Sequence, residues 1–235
     1  MDLSIIVPAY NEQVGIQGTL QAAEAVLKVR PWTWEVLVVD DGSQDRTADA
    51  VAAWTADHPQ VRLLRNPGNR GKGYSVRHGM GQAAGHAVGF IDADNKTDLL
   101  GLDLAMERLA ADADLVIGDR TLPASDIAVR RRPYRQWGSD QFRRLLRWWM
   151  GLGDFPDTQC GFKFLRAPVA ADLFGRQQVD GYMFDVELLL LAVRSGYRVE
   201  RIPVRWRDDP DSRFRPVRGS LRNLGELARI RRLCR

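Results

Sequence analysis

Ala87-Val88-Gly89-Phe90-Ile91-Asp92-Ala93-Asp94 is a five-residue apolar run that stops on two carboxylates. A short apolar run bounded by polar residues reads as a strand buried on both faces, as in a parallel sheet covered by helices. The same pattern recurs on either side. β-type runs at 3–7, 34–39, 61–64 and 115–118 accompany stretches of helical periodicity at 14–29 and 47–56. That alternation predicts an α/β fold with a mostly parallel central sheet flanked by helices. Polar clusters follow three of the strands, at Asn11-Glu12, Asp40-Asp41-Gly42-Ser43 and Asp92-Ala93-Asp94. In an open α/β sheet the loops beyond the carboxyl ends of the strands line the ligand crevice, so these clusters should converge in space.

Beyond Gly118 the pattern changes. A basic stretch at 130–135 leads into an aromatic and arginine-rich helix expected at about 136–152, followed by a polar segment at 157–163, a helix at about 184–195 and a strand near 198–204. No internal repeat or low-complexity linker interrupts the chain, so one domain is expected over 1–235, with a basic tail from 208. The net charge of +4 conceals an asymmetry: residues 1–129 carry 11 Lys/Arg against 18 Asp/Glu, and residues 130–235 carry 23 against 12. An acidic half suits a cation, and a basic half suits an anionic partner such as phosphate, lipid headgroups or nucleic acid. The alternative is a solvated surface whose charges happen to segregate. No apolar run approaches the roughly 20 residues that cross a bilayer, and the start lacks a signal-peptide pattern, so a cytosolic protein is expected. Cys160 and Cys234 have no metal-type spacing and read as free thiols.

Two carboxylates one residue apart at a strand end can place hard oxygen ligands on Mg²⁺ or Mn²⁺ and leave positions for diphosphate oxygens and water. By itself Asp-Ala-Asp is a weak signal, because such loops are more often solvated. Its company makes it specific. Ile5-Ile6-Val7-Pro8-Ala9-Tyr10-Asn11-Glu12, Val38-Val39-Asp40-Asp41-Gly42-Ser43, Asn69-Arg70-Gly71-Lys72-Gly73 and Asp92-Ala93-Asp94 resemble, in order and spacing, the family 2 glycosyltransferases of the GT-A (Rossmann-like) fold. Arg130-Arg131 with Arg135 and Ser139, then Asp157 to Lys163, then Phe184-Asp185-Val186-Glu187, look like the dolichyl-phosphate or polyprenyl-phosphate β-glucosyltransferase branch.

The resemblance implies a metal-dependent, inverting hexosyltransferase that moves a sugar from a nucleotide diphosphate to a polyprenyl phosphate. It assigns Pro8, Ala9, Tyr10, Glu12, Asp40 and Asp41 to the nucleoside, Lys72 to the diphosphate, Asp94 to the metal, and Asp92 to metal or nucleotide. It divides the chain into a nucleotide-sugar and metal half at 1–129, an acceptor half at 130–207 and the basic tail at 208–235. Arg120, Arg135 and Ser139 look like the acceptor-phosphate clamp, with Arg130 or Arg131 as substitutes, since a guanidinium fork fits phosphate. Asp157, Asp185 and Glu187 are expected to orient sugar hydroxyls or the arginines rather than to take a proton. Asn95-Lys96-Thr97-Asp98 after the acidic pair ranks UDP-glucose above GDP-mannose as donor.

Phe142, Leu145, Leu146, Trp149 and Leu152 share a helical face between arginines, and Leu221, Leu224, Leu227 and Ile230 recur at helical spacing in the tail. Both patterns suit an amphipathic helix lying on an anionic membrane, so a peripheral protein on the cytoplasmic face is expected. Packing of the same faces into the core is the competing reading. A soluble or polysaccharide acceptor, a non-enzymatic nucleotide-sugar sensor and a nucleic-acid binder are the other classes. The last is disfavoured, so no nucleic-acid partner is expected, because no nucleic-acid module accompanies the pI near 9.3.

Overall fold

A computed structural model describes residues 1–127, 141, 144, 146, 148–207 and 216–233. Among the described residues the strands are β1 (Leu3–Ala9), β2 (Trp34–Asp40), β3 (Val61–Arg65), β4 (Ala87–Ile91), β5 (Leu115–Gly118), β6 (Asp126–Ile127), β7 (Phe162–Arg166), β8 (Val199–Ile202) and β9 (Arg205–Trp206). The helices include α1 (Ile16–Leu27), α2 (Thr47–Thr55), α3 (Lys72–Met80), α4 (Leu102–Ala111), α5 (Ala167–Arg176), α6 (Phe184–Arg194) and α7 (Pro216–Leu233).

Seven strands form one sheet in the order β3-β2-β1-β4-β7-β5-β8, and β6 pairs with β9 beside it. Every pairing in the large sheet is parallel except those of β7, which runs antiparallel to both β4 and β5. The side-chain period of two then builds both cores. Ile6, Leu37, Phe90, Ile117 and Leu165 face one layer, which includes Leu146, Met150, Leu152 and side chains of α3, α5, α6 and α7. Ile5, Val36, Val38, Val116, Phe162 and Phe164 face the layer of α1, α2 and α4.

Strand β7 is absent from the sequence reading, which takes 157–163 as a polar motif. Lys163 is the reason: it breaks an apolar run that otherwise alternates Phe162 and Phe164 against Leu165. The helices α3, α4 and α5 also go unread; α3 carries Gly73, Gly79 and the polar residues Lys72, Ser75, Arg77 and His78 among its nine, which hides its apolar face. A second correction concerns the membrane faces. Leu146, Leu152, Leu227 and Ile230 are buried in the core, where each gains more apolar contact than an interface offers, so they are not available for docking. Leu224 of the tail face stays exposed, as does Trp148 next to the first face, at 84%. Phe142 and Leu145 lie outside the described residues. No helix among the described residues is long and apolar enough to cross a membrane.

Candidate active site

The carboxyl ends of β1, β2 and β4 open into a cleft of about 260 Å³ lined by Pro8, Ala9, Tyr10, Glu12, Asp41, Lys72, Asp92, Ala93 and Asp94. Local chemistry fixes each loop before any ligand arrives. Asn11 and Asn95, the turn residues after β1 and after the acidic pair, are, among the described residues, the two non-glycine residues with positive φ, a conformation that asparagine tolerates better than most side chains. Asn11 then ties the first two loops together. Its N–H donates to Ser43 Oγ at 2.9 Å, its Oδ1 accepts from Gln44 N at 2.8 Å, and Glu12 N donates to Thr47 Oγ1 at 2.8 Å. From α1, Thr19 Oγ1 donates to Ala93 O at 2.7 Å and holds the third loop to the first.

Asp40 and Asp41 end one strand but point to opposite sides of it. Asp41 lines the cleft, and its oxygens accept from Asn66 Nδ2 at 2.7 Å, Arg70 N at 2.9 Å and Gly71 N at 2.8 Å. It thus braces the segment that presents Lys72. Asp40 is fully buried, accepts from Ser43 N at 3.2 Å and lies 3.6 Å from Arg65 Nε. It does not line the cleft, and its place is that of a loop brace. Gly71 turns the chain into α3 with φ 108° and packs against Asp180 O, where a Cβ would collide.

Lys72 Nζ lies 2.6 Å from Asp92 Oδ1 on the cleft floor. Burial by itself would push the Asp92 carboxyl up, but Lys72, with Lys163 and Arg120 behind it, holds it below the ordinary range. Burial likewise opposes the charge on Lys72, yet Asp92 and Asp185 raise its pKa above the ordinary lysine value. Both groups are therefore charged at neutral pH. The backbone of Gly161 lies directly against the Asp92 carboxylate, in space that any side chain would fill. Asp94 faces the cleft with Lys96 Nζ at 3.0 Å.

Among the described residues no three His, Cys, Asp or Glu side chains converge as a ready-made metal cage. Two cleft carboxylates nevertheless suit Mg²⁺ or Mn²⁺ arriving with a diphosphate, since Mg²⁺ takes one or two carboxylates plus substrate phosphates and water.

Arg120 and Asp157 stand together behind Asp92. Asp157 accepts from Arg120 Nε at 2.8 Å, Nη2 at 2.7 Å and the Arg120 backbone N at 2.8 Å, and the guanidinium carbon is 5.3 Å from the Trp206 ring centroid. Burial pushes the Asp157 carboxyl up, but the two-pronged contact with Arg120 outweighs it and leaves the pKa lowered. Neither residue is part of the cleft lining, and Asp157 orients the arginine rather than facing a reacting group. Asp185 and Glu187 turn inward. Asp185 pairs with Lys163 at 2.6 Å, and Glu187 accepts from Gln178 N at 3.0 Å and Val179 N at 2.8 Å, so neither is placed to orient sugar hydroxyls. Arg130, Arg131, Arg135 and Ser139 lie outside the described residues.

The sequence reading did not single out Ser75, Gly181 and Tyr182 as parts of the cleft. Tyr182 stands at the rim, 65% exposed, two residues before Phe184-Asp185-Val186-Glu187. That adjacency was the only signal, because an exposed tyrosine in a loop carries no periodicity. Burial also pushes the Cys160 thiol up to about 12, which makes it an inert neighbour of the site.

Residues 4–173 match the family model described as "Glycosyl transferase family 2". A dolichyl-phosphate beta-glucosyltransferase of Drosophila melanogaster is 36% identical over 92% of this chain and 70% of its own length. One from Trichomonas vaginalis is 32% identical over 97% of this chain and 70% of its own. Among solved structures, glucosyl-3-phosphoglycerate synthase from Mycobacterium tuberculosis in complex with UDP superposes with a TM-score of 0.73 at 19% identity, covering 99% of this chain and 80% of that one. The same synthase with Mn²⁺ and UDP-glucose gives 0.69 at 20% identity, over 97% and 75%. At that identity the likeness is one of fold.

Proposed function

This chain belongs to glycosyl transferase family 2 and has the GT-A fold, and from that premise we propose that it transfers glucose from UDP-glucose to a polyprenyl phosphate with inversion. The cleft carries the reading: one lysine at the start of α3 and two aspartates just after β4, with a tyrosine and a proline from the end of β1, form a receptor for a nucleoside diphosphate and a divalent cation. The relatives named for dolichyl phosphate supply the acceptor class.

In this reading Tyr10 and Pro8 border the base, Lys72 turns from Asp92 to the diphosphate, and Asp92 with Asp94 would hold Mg²⁺ or Mn²⁺. When bound, the ion neutralises charge on the departing diphosphate, as divalent ions do in phosphoryl chemistry. The acceptor is a phosphate monoester with a second pKa of about 6, so at neutral pH it is largely a dianion and needs no strong base. Its oxygen forms the new bond to the anomeric carbon as the bond to UDP breaks and the electron pair leaves with UDP, which inverts the centre. Asp157 holds Arg120 in one orientation through Nε and Nη2, which leaves the outward N–H groups of the guanidinium to meet the acceptor phosphate without a rotamer search. The exposed Trp148 and the arginines of the second half support docking at an anionic membrane surface, where that phosphate resides.

The test is incubation of the purified protein with UDP-glucose, Mg²⁺ or Mn²⁺ and a short polyprenyl phosphate, with 3-phosphoglycerate as a soluble-acceptor control. A β-linked lipid phosphoglucose is expected. Transfer only to the soluble acceptor, or an α-linked product, would overturn the proposal.

A further inference from the structure

Beneath the cleft floor lies an ion pair that no solvent reaches. Lys163 Nζ is 2.6 Å from Asp185 Oδ1 and 2.8 Å from Cys160 O, and neither side chain is more than 3% exposed. Lys163 is the second residue of β7, in register with Phe90 of β4 and Ile117 of β5, and its ammonium sits 5.4 Å from the Phe90 ring centroid. Such a pair is a poor device for stability, because the cost of desolvating two charges offsets most of their attraction and apolar residues of the same size do as well. What the pair touches accounts for it better.

Asp185 opens α6 next to Phe184, and Lys72 Nζ lies 5.8 Å from the Phe184 ring centroid. Gly73, the residue after Lys72, packs so closely on Phe184 that a Cβ would overlap it. Tyr74 N donates to Asp180 O at 3.1 Å, and Gln177 Nε2 donates to Gly73 O at 3.1 Å. The first turn of α6 and the segment before it thus fix the backbone that carries Lys72. Burial pushes the Asp185 carboxyl up, and the 2.6 Å contact with Lys163 opposes that shift and favours the ion pair. Lys72 faces Asp92 above and feels Asp185 below, while Asp185 faces Lys163.

We propose that Asp185 is a positioning residue for Lys72, held in place by Lys163: it is the fixed counter-charge that keeps the lysine ammonium at the cleft floor when Asp92 is taken up by the donor complex. The proposal rests on the reading that Lys72 meets the donor diphosphate. The one ion pair of Lys72 among the described residues is to Asp92, and Asp185 acts on it from farther off, so without Asp185 the incoming nucleotide must break that contact with no second negative charge beneath to hold the lysine.

Calorimetric titration of UDP in the presence of Mg²⁺, alongside thermal unfolding, tests this in Asp185→Asn, Lys72→Met and the apolar double variant Lys163→Met/Asp185→Leu. The double variant removes both charges with side chains of similar shape and serves as the control for folding. UDP affinity is expected to fall about tenfold in Asp185→Asn and in the double variant, the scale of one lost charge-assisted contact, even where the unfolding temperature returns to wild type. KM for the nucleotide sugar should rise with kcat changed less. A double variant that regains wild-type unfolding and wild-type UDP affinity together would make the pair purely structural and overturn the proposal. So would Asp185→Asn with unchanged affinity while Lys72→Met weakens binding. Unchanged UDP affinity in Lys72→Met would remove the underlying reading of Lys72 itself.

Discussion

Asp94 and Asp157 separate two uses of a carboxylate. Asp94 faces the cleft with a single lysine beside it, so Asp94→Asn should leave folding intact and lower turnover by the equivalent of several kcal/mol, measured as kcat over a range of Mn²⁺ concentrations. Wild-type rates at limiting Mn²⁺ would remove it from the metal site. Asp157 is spent on Arg120, and its lowered pKa has a pH consequence. A carboxyl whose pKa is depressed on folding contributes stability that is full above its ordinary value of 3.8 and is lost as pH falls through the lower folded value. Urea unfolding followed from pH 6 to pH 3 should show that loss in the wild type and less of it in Asp157→Asn. The variant itself should be less stable by about 3–5 kcal/mol at neutral pH, as expected when a buried arginine loses its partner. Much of this was legible. Lys72 between two glycines and Asp92-Ala93-Asp94 at the end of an apolar run announce a phosphate and cation site. The inward turn of Asp40 was legible in principle, since adjacent residues at a strand end face opposite sides, but nothing local says which of the two meets the cleft.

Helix α3 enters the cleft through Lys72 and Ser75, whereas helix α7 acts on it from outside. Gly71 precedes α3 at a φ that a side chain resists, with Asp180 O in the space a Cβ needs. Gly71→Ala should therefore lower stability by about 1–3 kcal/mol and raise KM for the donor, read by thermal unfolding and steady-state kinetics. On α7, Glu226 Oε2 accepts from Met183 N at 3.1 Å, beside Gly181 and Tyr182 of the cleft rim. Glu226→Gln keeps an acceptor and should bind donor as the wild type does, whereas Glu226→Ala should weaken donor binding severalfold, as loss of one hydrogen bond to charge does. Wild-type affinity in the alanine variant would detach the tail from the site. The amphipathic spacing of Leu227 and Ile230 predicted a helix correctly, but periodicity gives only an apolar face and not its partner. Strand β7 was hidden for a related reason: a lysine in the centre of a strand looks polar until its buried aspartate partner, 22 residues away, is known.

The whole chain is polarised, acidic toward the donor loops and basic in the second half. If the exposed Trp148 and the surrounding arginines meet an anionic bilayer, flotation with liposomes should recover the protein at low salt and less of it at high salt. Trp148→Ser should reduce recovery without changing the unfolding temperature, whereas changes at Leu146 or Leu227 should act through stability. Failure to float under every lipid and salt condition would move the acceptor into solution. Sequence pattern could reach the fold and the donor loops because strand ends and their carboxylates are local. It could not reach the packing of 146–152 and α7, which is decided by contacts far along the chain. The sheet order carries a further consequence for how the protein is made. Strands β5 and β8 join the other strands only through β7, so the Ala87–Ile91 edge stays unpaired until Phe162–Arg166 has left the ribosome. At about 5–20 residues per second that interval lasts roughly 4–15 s. Throughout it an entirely apolar strand edge is open to any other chain, which is the template for aggregation. Yield during synthesis should depend on how quickly the ribosome crosses residues 92–166, and rare codons placed there should lower soluble protein without altering a single residue.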